Sequence, residues 1–551
     1  MENNNRTIIA IVLVVLLWSG YSLFFAPQPP APPTAVDQAA KQVEEQPAAV
    51  EAKDSGSSVA ETPVQPKTVL PPDYVERVLT VSTDLYDLKI STTGATVRSM
   101  TLKKYRETNT ENADLYRLIE PGSDQLATFR TSGSEGLSIP GDLPYQLLDQ
   151  AGDVIQLDKD KKTISFSATT GSGLTVVKSY VFYADSYQID VDLRLINSGE
   201  QPIKGAINLS LISAWDKTKK GSRYTFIGPL TFDGEKLQED KPDDLEKSAK
   251  LYGSDISWSG YSNKYFLMIL SPQDSAAKQI QVGAGEGFVE NRFISPAFTL
   301  AAGEQTSFKY VSFFGPKEYD LLQSVGHQFE RAIDYGFFRI LAHPLMVVLK
   351  FFYGFIGNYG IAIILLTICI KIIFWPLTQK SYTSMKGMQN LQPEMQKLRE
   401  KYANDKQRLN QEMMAFYKEN RVNPLGGCLP MLIQIPVFFA LYRVLLGSIE
   451  LRHAPFMLWI TDLSGPDTLF TSLFGLPFTL GPLPLIMGFT MYLQQKMTPT
   501  NMDPNQAKLM TMMPVVFTFL FLSFPSGLVL YWLTNNLLTI LQQYLIRRQP
   551  D

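Results

Sequence analysis

Residues 361 to 375 read IAIILLTICIKIIFW, an apolar run whose only charge is Lys371 and whose only hydroxyl is Thr367. With its flanks it is long enough to cross a bilayer, and it makes the C-terminal half a membrane bundle rather than a soluble core. Further apolar stretches follow at Leu429 to Leu446, at Leu483 to Tyr492 with its flanks, at Met510 to Phe524, and at Gly527 to Ile546 after the tight turn Phe524-Pro525-Ser526-Gly527. Upstream, Tyr335 to Phe355 is apolar yet broken by Arg339, His343, Pro344 and Lys350. Leu345, Val348, Leu349 and Phe352 share one helical face there, so residues 331–357 are expected as an amphipathic helix lying in the membrane interface.

At the N-terminus, Thr7 to Phe25 follows the single cation Arg6 and covers roughly 19 residues, enough for a bilayer core. A cleaved signal is the alternative, but Pro27 stands directly after Ala26 and disfavours a scissile bond, so residues 1–26 are expected to remain as an anchor. Residues 27–68, rich in Pro, Ala, Gln and Glu, cannot bury enough surface to fold and read as a disordered tether. Residues 69–330 then alternate in the manner of half-buried strands. Tyr187, Ile189, Val191, Leu193 and Leu195 face one way, with Gln188, Asp190, Asp192 and Arg194 between them, and Ile207, Leu209 and Leu211 repeat the pattern. An antiparallel β-sandwich of two packed sheets is the expected fold of this region.

The whole-chain values, 551 residues with 45% hydrophobic content, a mean hydropathy of −0.03 and a formal net charge of −3, conceal this segregation. The near-neutral charge argues against nucleic-acid binding. The only cysteines, Cys369 and Cys428, lie in the apolar C-terminal part, so the β region cannot rest on disulfides. No catalytic constellation or metal-ligand spacing can be argued; no cofactor is expected and the protein does not read as an enzyme.

Orientation follows from lysine and arginine in short loops. The segment 379–422 carries Lys380, Lys386, Lys397, Arg399, Lys401, Lys406, Arg408, Lys418 and Arg421, an excess over its acids, and belongs in the cytoplasm. Arg6, Arg547 and Arg548 agree. The expectation is six spans, five of them forming the core of residues 358–551, with both termini inside and the β domain outside. The inner segment is itself a helical hairpin by periodicity, with Met385, Met388, Leu391, Met395 and Leu398 on one arm and Leu409, Met413, Phe416 and Tyr417 on the other. Two readings of these methionines stand: a pliant surface that receives varied apolar partners, or packing between the arms.

A cation inside a span costs about 2.5 to 3.5 kcal/mol even on the mildest insertion scale. Lys371 could reach the cytoplasmic headgroups with its long stem. The alternative is a hydrated groove, to which Thr367, Gln434, Tyr531, Thr534, Asn535 and Asn536 would contribute polar groups and Pro376, Pro430, Pro436 and Pro514 free carbonyls. Arg443, beside Tyr442, reads more simply as an interface anchor.

Several segments together carry a family resemblance: Trp375-Pro376-Leu377-Thr378, Tyr382-Thr383-Ser384-Met385, Asp405-Lys406-Gln407-Arg408, Asn423-Pro424-Leu425-Gly426-Gly427-Cys428, Trp459-Ile460 with Asp462-Leu463, and Phe524-Pro525-Ser526-Gly527-Leu528-Val529-Leu530-Tyr531. In order and spacing the chain resembles the Gram-negative YidC family of membrane protein insertases along its whole length. The resemblance implies a groove open to cytoplasm and lipid and closed toward the periplasm, holding one positive charge at the position of Lys371. The family usually has arginine there; lysine keeps the charge but not the bidentate fork. It further implies groove positions at Thr367, Gln434, Tyr531 and Asn535, with an aromatic residue at Trp532. Met385, Met388, Met395 and Met413 would face substrates. The implied partners are nascent inner-membrane proteins, the bilayer, and the Sec translocon with its accessory subunits. The short tail after Ile546 leaves any ribosome contact to the inner loops.

Three rival readings fit less well. A solute transporter would show inverted repeats with paired broken helices, an intramembrane hydrolase a histidine-based or paired-aspartate site, and neither is seen. A periplasmic chaperone or scaffold would place the activity in the β region. No Walker-type glycine loop points to a nucleotide fuel.

Overall fold

The computed structural model describes residues 74–548, apart from 111, 121, 123–125, 150–151, 219–224, 254–255, 403, 421, 423–428, 476–478 and 499–503. The expected anchor at 1–26 and tether at 27–68 lie outside the described residues. All those described belong to one unit, Gln65–Asp551.

The alternation at 187–195 becomes the strand Gln188–Asn197, with Ile189, Val191, Leu193 and Leu195 buried and the residues between them more open. It pairs antiparallel with Leu174–Tyr183 and Gln305–Pro316 inside a nine-stranded sheet. Ile203–Ala214 behaves differently from expectation, because its polar Asn208 and Ser210 are as buried as Ile207, Leu209 and Leu211. The strand is covered on both faces, and Asn208 satisfies its amide with Ser132 Oγ at 3.3 Å while accepting from Ser134 Oγ at 3.1 Å.

That strand belongs to a six-stranded sheet, and a third sheet of five strands is built from Leu115–Ile119, Thr96–Arg106, Tyr86–Ser91, Val78–Ser82 and Val154–Gln156. The expectation of two sheets is thus one short. The five-stranded sheet has its own hydrogen-bonded ladder, including the parallel pairing of Val78–Ser82 with Val154–Gln156, yet Leu79, Val81, Leu88 and Ile90 join the hydrophobic cluster of the other two.

Eleven helices are described: α1 (Pro242–Leu245), α2 (Tyr319–Val325), α3 (Arg339–Ile356), α4 (Tyr359–Asn390), α5 (Gln392–Lys401), α6 (Lys406–Glu419), α7 (Leu429–Gly447), α8 (Leu469–Phe474), α9 (Pro482–Met497), α10 (Pro504–Phe521) and α11 (Ser526–Arg548). Gly357, at φ 68°, ends α3 in the left-handed conformation, and the Asn358 side chain caps α4 by accepting from the Ile361 N–H at 3.1 Å. Among the described residues, two stretches, Gly336–Ile356 and Tyr359–Asn390, are long and apolar enough to cross a membrane, with shorter apolar helices at Gln434–Gly447 and Thr511–Phe521.

The sequence alone placed the end of the span near Trp375. Instead α4 runs unbroken through Pro376, and the first arm of the expected hairpin is its continuation. Proline removes one backbone donor from the ladder; the Thr378 hydroxyl bonds the carbonyls of Phe374 and Trp375, both at 3.0 Å, on the same turn. The chain turns at Leu391 into α5, and Asp405 caps the returning α6 through the Arg408 N–H at 3.0 Å.

The loop after α7 docks on the β domain. Arg452 reaches the carbonyls of Arg106 and Glu107 at 2.5 and 3.2 Å and lies 5.4, 5.7 and 5.5 Å from the rings of Tyr116, Tyr265 and Phe266. On α3, Lys350 pairs with Glu318, Asp320 and Glu450 at 3.4, 2.8 and 2.9 Å. The β domain is therefore held to the outer end of the bundle by charge as well as by packing.

Candidate functional site

Helices α4 and α11 both start at the end of the bundle that meets the β domain, where the backbone of Ser526 and Gly527 bonds the carbonyls of Gly465 and Leu463 at 2.7 and 2.9 Å. They run side by side. At 1.5 Å per residue, Lys371 lies about 18 Å along α4 and Thr539 about 20 Å along α11, so the two side chains meet at equal depth. Lys371 Nζ donates to Thr539 Oγ1 at 2.7 Å, and that hydroxyl in turn donates to the Asn535 carbonyl at 2.7 Å. No carboxylate pairs with Lys371 among the described residues. Its neighbours Ile372 and Ile373 are exposed on the outer face of the bundle.

One turn above, Thr367 is buried and donates to the Ile363 carbonyl at 2.6 Å, so its hydroxyl is spent on its own helix. Gln434 on α7 donates to the Tyr531 hydroxyl at 2.5 Å and ties α7 to α11. Thr534 likewise bonds its own helix, at the Leu530 carbonyl, while Asn536 turns away toward Thr490 on α9 at 3.3 Å. The structure thus sets two polar pairs on a shared helix: Gln434 with Tyr531, both candidates from the sequence, and deeper, Lys371 with Thr539, which was not one, beside Asn535. Trp532 is not on this polar face. It packs in an aromatic cluster, 4.9 Å from Phe438 and 5.2 Å from Phe521, and stiffens the contact between α7, α10 and α11.

Sequence reasoning missed Thr539, Gln542, Gln543 and Thr378. Gln542 donates to Thr378 Oγ1 at 2.7 Å and Gln543 to Thr498 Oγ1 at 2.9 Å, and the amide oxygens of both glutamines are buried with no partner among the described residues. The signal was present: Tyr531, Asn535, Thr539 and Gln542 recur at helical spacing and continue the polar stripe toward the inner end.

Met388, Met395 and Met413 are buried together, with Leu391, Leu398, Leu409, Phe416 and Tyr417 around them. Their place is the packing between the hairpin arms; Met385 is also buried, on the continuation of α4. Arg443, expected as an interface anchor, is found at the junction of the bundle with the β domain. It lines a cleft of about 90 Å³ against the β domain, opposite Glu239, Lys317 and Asp334. Burial brings the Lys317 ammonium down to about 8.

Two family models match almost all of the described chain, "YidC periplasmic domain" at residues 78–348 and "60Kd inner membrane protein" at residues 351–551. The membrane protein insertase YidC of Pelobacter propionicus is 43% identical over 548 residues, covering 98% of this chain and 99% of that relative. That of Geobacter sulfurreducens is 43% identical over 547 residues, covering 98% of each. A solved active YidC insertase with its first transmembrane domain resolved aligns at 19% identity and a TM-score of 0.35 over 86% of this chain and 95% of that one. The β domain is periplasmic, the helical region is that of an inner-membrane protein, and together they define a membrane protein insertase rather than an enzyme. The chain belongs to the YidC family.

Proposed function

We propose that insertion proceeds along the polar face of α4 and α11, where Lys371 draws in the short extracytoplasmic tail of a nascent hydrophobic segment. The observation that carries this reading is the Lys371 ammonium, held by Thr539 at 2.7 Å with no carboxylate to neutralise it among the described residues. A tail carboxylate can complete what the fold leaves open. A charge pair at 4 Å is worth about 4 kcal/mol at an effective dielectric of 20, enough to capture a tail and weak enough to release it. Departure of the substrate helix into lipid drives the release, so no nucleotide is needed. In this reading the chain has six spans with both termini cytoplasmic, α3 lies in the outer interface, and the inner loops face the ribosome. The Sec translocon is the partner for larger substrates.

The test uses proteoliposomes holding only this protein and a single-spanning substrate whose tail carries acidic, neutral or basic residues. Insertion is expected to fall in that order, with the difference shrinking as salt rises. Equal insertion of all three tails would remove electrostatic capture from the mechanism.

The hairpin is proposed to receive the segment first, its arms parting to expose the methionines that otherwise pack them. Replacing Met385 and Met388 with serine should then lower insertion while the span portion of α4 stays helical. Unchanged insertion would assign these methionines to packing alone.

A further inference from the structure

We propose that the cleft between the β domain and the outer end of the bundle binds the phosphate of a phospholipid in the periplasmic leaflet. The cleft, of about 640 Å³, is walled by Lys103, Lys104 and Arg106 of the β domain and by Arg452 of the bundle loop, with Tyr353 and Tyr359 on its membrane side. Tyr359 is the first residue of α4, which sets the cleft at the level where headgroups lie. The two tyrosine rings stack at 3.8 Å, an arrangement suited to the boundary between water and acyl chains.

The charge in the cleft is unbalanced. Lys103 is paired with Asp87 at 3.0 Å, but Lys104, Arg106 and Arg452 have no carboxylate partner among the described residues. The lining holds four cations, Lys103, Lys104, Arg106 and Arg452, against two acids, Glu318 and Glu450, which share Lys350 with Asp320, so cations remain in excess. Arg106 commits one nitrogen to the Ala113 carbonyl at 2.7 Å, and Arg452 commits one to the carbonyls of Arg106 and Glu107. A guanidinium has five N–H donors, so each retains donors, in a fork that fits phosphate oxygens. An acidic peptide would match the charge as well, but it has no use for the stacked tyrosines at the membrane side. A phospholipid headgroup uses both features.

The experiment takes the full chain, stripped of lipid in mild detergent, and counts bound phosphatidylglycerol by native mass spectrometry for the native protein and for Lys104→Gln with Arg106→Gln. Both side chains are exposed and Arg452 is left in place, so the docking of the domains is preserved. One lipid is expected to bind the native chain more tightly than the rest, and the double variant to weaken it about thirtyfold, from roughly fivefold per cation. The charge-conserving Lys104→Arg with Arg106→Lys should retain it, which separates loss of charge from local misfolding. Diacylglycerol with the same acyl chains should not occupy the site, and neither inorganic phosphate nor an acidic peptide at equal concentration should displace the lipid. Equal affinity in the native and glutamine forms would overturn the proposal, as would equal binding of diacylglycerol. Displacement by phosphate would make it a free-anion site, and displacement by the peptide a substrate-tail site; either overturns the lipid assignment.

Discussion

Insertion of an acidic-tailed substrate should be nearly lost when Lys371 becomes alanine and largely kept when it becomes arginine. The expected size follows from the interaction removed: about 4 kcal/mol at 4 Å and an effective dielectric of 20, close to a thousandfold in tail capture before solvent screening reduces it. Arginine restores the charge and adds a planar fork, and Thr539 Oγ1 can accept from it as it does from the lysine. A neutral-tailed substrate should lose far less, because its capture never used the charge. Single-turnover insertion into proteoliposomes, with both tails and all three proteins, decides the matter. Equal insertion by the alanine form on acidic tails would reduce Lys371 to a snorkelling residue and leave hydration of the polar seam to carry the function.

The largest stability effect is expected in the β domain, at Lys178. Its neighbours across the sheet are Phe166 and Leu193, both buried, and its own side chain is fully buried. Its ammonium donates to the Gly94 carbonyl at 3.1 Å and also to the Phe129 carbonyl. These carbonyls sit where the backbone leaves the regular ladder: Gly94, Ala95 and Phe129 have φ of 67°, 46° and 59°, and the Ala95 carbonyl is taken by the Tyr180 hydroxyl at 2.6 Å. Lys178→Ala leaves a cavity and two unsatisfied carbonyls, at a cost of about 3 to 5 kcal/mol. Lys178→Met keeps the volume and loses only the donors, costing about 1 to 3 kcal/mol.

Burial holds the Lys178 ammonium well below its ordinary value, so the unfolded chain binds the proton more tightly than the folded one. Stability from this group therefore rises with pH between the folded and unfolded values, and falls as pH drops through the folded one. The gap in thermal stability between native and methionine forms, followed for the β-domain transition of the full chain, should widen as pH is raised toward 10. A gap independent of pH would mean that the amine titrates alike in both states.

How much of this was legible in the sequence depended on whether one residue or a pairing carried the information. Alternation at 187–195 was enough for a strand because one face of it is half-open. It misread Ile203–Ala214, whose alternation is present in the sequence but erased by a second layer lying over Asn208 and Ser210. Lys178 gave no signal at all, since a lysine among Val177, Ser179 and Tyr180 looks like an outward position until the turns at Gly94 and Phe129 are brought over it. In the bundle, Lys371 stood out because one charge in an apolar run is costly in any fold. Thr539 did not, because threonine is tolerated in any span, and only the equal depth of α4 and α11 makes it the lysine's partner. Pro376 pointed to a break, and the helix carried through.

The unbroken course of α4 has a mechanical consequence. About 47 Å of rigid rod joins the hairpin to the periplasmic mouth at 1.5 Å per residue. Near its upper end Asn358 fastens the rod to the Phe456 carbonyl at 2.9 Å, and farther down Lys371 and Thr378 are bonded to Thr539 and Gln542 of α11, both at 2.7 Å. Lys371 lies roughly two fifths of the way along the rod. The rod is thus tied to its neighbours at three depths, so a load on the hairpin passes into α11 as well as along α4. Hairpin and charged seam are parts of one braced strut.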